Sequence, residues 1–201
     1  MFPRIIAICG KKRAGKDCIA SILCRDFGYT TIKIADTLKL MVRLLFGFTE
    51  DQTDSSLKDD IDENWGISPR QSMQFFGTEV MQFKLQELLP NMGRNYFIQS
   101  LIARYIEKFP DKKYVISDVR FLHEYAALHI YDPYFIRVER DTCIDDTCCH
   151  MSETEFLNIP VNIIINNNGS LHELEQKIHN IMHVPILDYH IQPKQNDFLF
   201  V

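Results

Sequence analysis

Eight consecutive residues, Gly10-Lys11-Lys12-Arg13-Ala14-Gly15-Lys16-Asp17, have the types and spacing to hold a polyphosphate. Glycines let a short loop wrap its backbone N–H groups around an anion, and a helix starting at the loop's end adds the positive end of its dipole. The lysine after the second glycine can reach the terminal phosphates of ATP. The apolar run Arg4 to Cys9 (RIIAIC) stands just before the loop, so Gly10, Gly15 and Lys16 fall between a strand and a helix. A lysine-rich surface turn would not need that register. Lys12, Arg13, Ala14 and Cys18 complete the nucleotide-binding set. A hydroxyl residue commonly follows the lysine and ligates Mg²⁺; here it is Asp17, which can hold Mg²⁺ directly or through water, or can cap the helix instead.

A second carboxylate closes the apolar stretch Tyr114-Val115-Ile116-Ser117-Asp118. At that place in a nucleotide-binding sheet an aspartate orients Mg²⁺ beside the loop. Arg120 follows at once and would meet the transferred phosphoryl group; the alternative is a local Asp118–Arg120 ion pair shaping the turn. Arg137 and Arg140 flank the end of a later strand, and polar residues 140–158 come next. An arginine-bearing flap of that kind reads as a lid that excludes water and places charge on phosphate.

A separate group suits an acceptor. After Ser68-Pro69, a helix start signal, Arg70, Gln74, Gly77 and Met81 recur at helical spacing with Thr78 beside them, while Met73, Phe76 and Val80 make the apolar face. Gly77 leaves room either for a flat ligand or for close helix packing. Lys39 and Arg43 share a face of an earlier helix and suit a second phosphate, or are a solvated basic face. No Ser-His-Asp or Cys-His set demands a catalytic role. A phosphate acceptor needs no strong base, because its oxygen is already largely ionised near neutral pH, so positioning, Mg²⁺ and cations would supply the catalysis.

The elements that must position these groups follow from hydrophobic patterning. Strands are expected at 4–9, 29–35, 113–117, 134–139 and 161–165, and helices at 15–26, 36–46, 68–89, 95–109, 123–130 and 171–182, with an acidic loop at 47–67. Strands alternating with helices predict an α/β fold, a five-stranded parallel sheet flanked by helices, with ligands at the carboxyl ends of its strands. The expected domain is 1–184, with an acceptor segment at about 36–95, a lid at about 140–158, and a tail at 185–201.

The 201 residues are 46% hydrophobic and 24% charged, enough for a real core in one domain. A net charge of −5 argues against a broad nucleic-acid surface. No apolar run is long enough to span a membrane, Met-Phe-Pro-Arg reads as no cleavable leader, and the cysteines are not the framework of a small secreted protein. A cytoplasmic setting is expected. The long helices and the apolar tail suggest a homodimer.

An ordered set of motifs now stands out: Gly10 to Asp17; Ala35-Asp36-Thr37-Leu38-Lys39; Pro69-Arg70 with Gln74 and Gly77-Thr78-Glu79; Ile116-Ser117-Asp118-Val119-Arg120-Phe121 with Glu124; His150-Met151-Ser152-Glu153; and Ile165-Asn166-Asn167-Asn168-Gly169. Together they resemble the deoxynucleoside monophosphate kinases of bacteriophages and large DNA viruses, over nearly the whole chain to about residue 183. The resemblance implies a P-loop kinase fold, ATP and Mg²⁺ as cofactors, and a deoxynucleoside 5′-monophosphate as acceptor. It implies an acceptor site at Arg70, Gln74, Gly77 and Thr78 with Asp36 and Lys39 near it, and phosphate contacts at Arg120 and Arg137. It further implies lid contacts at His150 and Glu153, and an adenine-flanking loop at Asn167 to Gly169. The chain departs from the pattern at Cys18, where threonine is usual, and at Gln82, where an arginine often stands. It departs again at Leu122-His123, in place of Pro-Asn, and at Tyr96-Phe97, in place of a tryptophan.

Two other readings compete. Animal-type phosphomevalonate kinase is similar in the Gly-Lys-Asp loop and the Ser-Asp-x-Arg strand end, and a nucleotide-binding module without turnover would explain Asp17 and Cys18. Cys143, Cys148, Cys149 and His150 lie together in the lid, but without the paired spacing of a zinc site.

Overall fold

The computed structural model of the protein describes residues 2–141 and 154–183. Five strands form one sheet: β1 (Ile5–Gly10), β2 (Thr30–Ile32), β3 (Tyr114–Ile116), β4 (Tyr134–Glu139) and β5 (Ile163–Asn166). Their order across the sheet is β2-β3-β1-β4-β5 and every pairing is parallel. β1 lies at the centre, with Ile6 opposite both Val115 and Tyr134. It is buried from Ile5 to Cys9, as a strand covered on both faces must be, and this explains why its sequence is continuously apolar rather than alternating.

The alternation of side chains along β1 sorts the core into two layers. Ile5, Ala7 and Cys9 pack with Phe97, Ile98, Leu101, Ile102 and Leu128 on one face. Ile6 and Ile8 pack with Ile19, Leu23, Leu174 and Ile178 on the other. The second face is covered by α1 (Lys16–Phe27), and by α7 (Leu171–His183) as numbered along the chain. Between them come α2 (Asp36–Phe46), α3 (Glu50–Asp54), α4 (Pro69–Gln74), α5 (Tyr96–Leu101) and α6 (Leu122–His129). The expected five-stranded parallel α/β fold is the one observed, and α2 and β4 have the expected limits.

Two expectations need correction. The acidic loop at 47–67 contains α3 and a tight helical turn, Ser56–Asp59. α3 begins with a capping box, in which Thr49 and Gln52 satisfy each other's backbone N–H groups. The long helix expected at 68–89 does start with the Ser68 cap and Pro69. It then passes into a wider π-type segment, Phe75–Phe83, and a tight turn, Lys84–Glu87. Widening rotates the faces. Ser72, Gly77, Thr78 and Gln82 are buried, while Met73, Phe76 and Val80, expected to make the apolar face, are only half-buried. The five-residue step from Ser72 to Gly77 is the signature of the wider winding.

Candidate functional site

The phosphate loop begins where β1 runs out at Gly10. That residue has φ 146, and a side-chain carbon there would lie 2.4 Å from the carbonyl oxygen of Val138 on the neighbouring strand. Only glycine satisfies both demands. Arg13 takes a left-handed conformation, φ 65, and Ala14 turns inward with its N–H donating to Lys11 O at 3.2 Å. Gly15, φ 106, leaves no room for a side chain because Asn167 Nδ2 would lie 2.3 Å away. That amide donates to Ala14 O at 2.8 Å, and the Asn167 backbone N–H donates to Glu139 O at 2.7 Å. Asn167, expected beside the adenine, is therefore a buried latch that ties the loop to the ends of β4 and β5. Lys16 opens α1 and folds across the loop, its Nζ donating to Gly10 O at 2.8 Å and Lys11 O at 2.7 Å.

Carboxylates gather beside the loop. Asp17 Oδ1 accepts from Lys33 Nζ at 2.9 Å and from Ser117 Oγ at 3.2 Å. Burial alone would raise the Asp17 carboxyl, but the Lys33 and Ser117 bonds outweigh it and hold the group below its usual range. Burial and the charge of Asp118 push Asp36 up. Asp118, expected to orient the cation, has both oxygens engaged by backbone: they accept from Ile34 N–H at 3.0 Å and Ala35 N–H at 2.9 Å. Among the described residues no three His, Cys, Asp or Glu side chains group as a metal cage. Mg²⁺ at a phosphate site needs only one or two protein oxygens, since substrate phosphates and water supply the rest. The ionised Asp17 carboxylate and the Ser117 hydroxyl meet that need.

The acceptor side is built differently. Lys39 and Arg43 on α2 both pair with Asp54 at the end of α3, and Arg43 Nε also donates to Thr53 Oγ1 at 2.6 Å. Arg70 on α4 pairs with Asp59, its Nη2 donating to Oδ2 at 3.2 Å, and Lys12 of the loop lies 3.8 Å from the same carboxylate. Lys58 stands among these cations; burial, then Arg70, Lys12 and Lys39, lower its proton affinity. Lys39 and Arg43, expected near the acceptor, thus meet at Asp54, while Arg70 meets Asp59 together with Lys12, which was expected to serve the nucleotide instead. The space at Gly77 is taken by Leu38: a side-chain carbon would lie 2.7 Å from Leu38 Cδ2. Close packing of two helices, rather than a ligand slot, accounts for that glycine. Thr78 is buried and Gln74 half-buried on the same element.

Arg120 is held through its backbone, which donates to Glu124 Oε2 at 2.7 Å, as Phe121 N–H does at 3.0 Å. Glu124 is fully enclosed, and burial pushes its carboxyl up to about 8 against the opposing pull of those two N–H groups. Arg137 reaches Glu139 Oε1 at 3.1 Å and Leu157 O at 3.0 Å. Leu157 stands near the end of the segment expected as a lid. Arg140 is exposed where that segment begins. There Asp141 N–H donates to Asn168 Oδ1 at 2.8 Å, next to Gly169. Cys18 is exposed on the first turn of α1. His150, Glu153 and the lid cysteines 143, 148 and 149 lie outside the described residues, as does the tail.

Sequence reasoning missed Lys33, Ser117, Asp54, Asp59 and Arg94. Arg94 Nε donates to Gln82 Oε1 at 3.0 Å, with its guanidinium over Phe121 and Phe83 at 5.2 and 5.6 Å. Gln82, noted as a departure from the arginine often found there, receives an arginine from another part of the chain. No local pattern announces such a pair.

The family model for deoxynucleotide monophosphate kinase matches residues 46–178. A protein of Acanthamoeba polyphaga mimivirus assigned as a deoxynucleotide monophosphate kinase is 31% identical over 182 residues, covering 87% of this chain and 93% of its own. The deoxynucleotide monophosphate kinase of Enterobacteria phage T4 is 29% identical over 127 residues, covering 62% of this chain and 48% of its own. Among solved structures, the dephospho-CoA kinase of Campylobacter jejuni superposes with a TM-score of 0.49 at 12% identity, over 89% of this chain and 95% of that one.

Proposed function

For a chain that belongs to the deoxynucleotide monophosphate kinase family, we propose ATP-dependent phosphorylation of deoxynucleoside 5′-monophosphates to diphosphates. The observation that carries this is the loop itself. Gly10 and Gly15 stand where any side chain would collide, and Lys16 spans the opening between them. Such a loop takes the β- and γ-phosphates of a nucleoside triphosphate on its N–H groups. Lys12, Arg13, Ala14 and Cys18 line the same turn.

An oxygen of the acceptor's phosphate bonds to the γ-phosphorus while the bond from that phosphorus to the β–γ bridging oxygen breaks. ADP leaves with the electron pair. Mg²⁺, held by Asp17 with Ser117, would neutralise charge on the β- and γ-oxygens. Lys16, Arg120 and Arg137 are assigned to the transferring phosphoryl group, where fixed cations stabilise developing charge. Lys39, Arg43 and Arg70 are assigned to the acceptor phosphate, with Asp36, Gln74 and Thr78 beside its nucleoside. No general base is required, because the attacking oxygen is already ionised. Among the described residues no helix is long and apolar enough to cross a membrane.

The test is ADP release with Mg²⁺-ATP against dTMP, dGMP, dCMP, dAMP, dUMP, their ribose forms and phosphomevalonate. Turnover on deoxynucleotides is expected. Turnover on phosphomevalonate alone, or ATP binding with no turnover on any acceptor, would overturn the reading.

A further inference from the structure

Asp118 ends the strand beside the phosphate loop, where a Mg²⁺ ligand was expected, yet its carboxylate is spent elsewhere. One oxygen accepts from Ile34 N–H at 3.0 Å and the other from Ala35 N–H at 2.9 Å, across 84 and 83 residues of sequence. These two donors lie between β2 and α2, the stretch through which the chain leaves the sheet to build the acceptor side. Ala35 is the residue on which α2 starts, and its carbonyl accepts from Lys39 N–H at 2.9 Å. The neighbours of Asp118 are fixed too. Ser117 Oγ donates to Asp17, and Val119 N–H donates to Ile8 O at 3.3 Å. Asp118 is therefore a short rigid strut between the central sheet and the first turn of α2.

Resting on the reading above, we propose that Asp118 is a positioning residue for the acceptor: it sets Asp36 and Lys39 at a fixed distance from the phosphate loop, while Asp17 with Ser117 faces the cation. The division is chemically sensible. A carboxylate accepting two N–H bonds has its charge matched by two fixed dipoles and gives up both if it turns to a cation. Asp17, by contrast, is exposed and bonded to the end of a lysine side chain and to a hydroxyl, both of which can rotate aside without moving the backbone.

The experiment compares the parent protein with Asp118→Asn and Ala35→Pro. The first leaves one accepting oxygen in place of two. The second deletes one donor and keeps the carboxylate; the φ of −73 suits proline, while Ile34 before it must adjust within the Lys33–Asp36 turn. Three quantities are read: KM for the best deoxynucleotide acceptor, the Mg²⁺ concentration for half-maximal rate, and hydrogen exchange at the Ile34 and Ala35 amides. In Asp118→Asn the acceptor KM should rise about tenfold, the loss expected for one charge-assisted bond, with the Mg²⁺ requirement within about twofold of the parent. Exchange at the two amides should quicken about tenfold. Ala35→Pro should raise the acceptor KM and leave the Mg²⁺ requirement alone. A Mg²⁺ requirement raised tenfold in Asp118→Asn with an unchanged acceptor KM would make Asp118 a metal ligand and overturn the proposal. An unchanged acceptor KM in Ala35→Pro would do the same. Should both variants fail to fold, the parent decides, since unprotected Ile34 and Ala35 amides would leave no strut. Absence of turnover in the parent on every acceptor would sink the function above, and the exchange measurement would still judge the strut.

Discussion

The phosphate loop and the acceptor wall are both assigned to phosphate under the proposed function, and they are made of different material. The loop is backbone: its N–H groups and the start of α1 offer partial charges that need no counter-ion, and its shape is enforced by contacts at Gly10 and Gly15. The wall is side chain. Lys39, Arg43 and Arg70 are full charges, half-buried, and each is matched by Asp54 or Asp59. Burying a cation without a partner is costly, so a site built from whole charges carries its own anions until substrate replaces them. A backbone site can stand ready; a side-chain site must exchange partners.

The sharpest way to break this contrast is to remove the full charge that folds across the loop. Lys16→Ala should lower kcat/KM about a thousandfold, as loss of a transition-state charge contact does, with the circular dichroism spectrum unchanged; full activity would end the mechanism. Next come the two crowded glycines. Gly10→Ala faces a main-chain oxygen and a φ of 146, and should cost about 3 kcal/mol in urea unfolding. Gly77→Ala meets only the tip of Leu38, which can swing away, and gains helix propensity. It should cost about 1 kcal/mol or less, and equal costs would erase the distinction.

Away from the acceptor side, Glu124 tests whether a buried carboxyl held by backbone N–H groups behaves differently from Asp54 and Asp59. Burial raises it to about 8, from its usual 4.5. The folded protein then binds a proton that the unfolded chain releases between these limits. The stability due to this group is fully present below about pH 4.5, declines as pH rises, and is gone above about pH 8. Glu124→Gln should flatten that slope in melting temperature against pH. The smallest effect is expected at Asp59. Asp59→Asn should lower the acceptor KM about threefold at low salt, because a partly exposed pair is a weak competitor, and the gain should vanish at high ionic strength. A higher KM instead would show that Asp59 aligns Arg70 for the substrate.

What could be read from the sequence follows the same divide. Sheet, helices and phosphate loop were legible because they are written in local spacing: an apolar run, glycines five apart, a lysine at the helix start. The Thr49–Gln52 capping box was also written locally, but a string of acids around it reads as loop. Winding in Phe75–Phe83 was not legible, since a helix of either pitch has the same composition, and one widened turn moved Gln82 inward and left Phe75 exposed. The ion pairs of the acceptor wall join residues 11 to 15 apart across a change of direction. Asp118 was recognised as important from its place at a strand end, and its partners could be found only in three dimensions.

The order of the strands has a consequence for how this chain is made. β1 leaves the ribosome before the other strands and ends at Gly10, but neither of its neighbours exists until Tyr114 and then Tyr134 have been added. Throughout that interval this continuously apolar strand has no neighbour to pair with, and pairings this distant in sequence form slowly. A nascent chain halted before β3 is therefore expected to need a holding chaperone, and the phosphate loop, whose shape depends on Val138 and Asn167, is assembled only after both have been added.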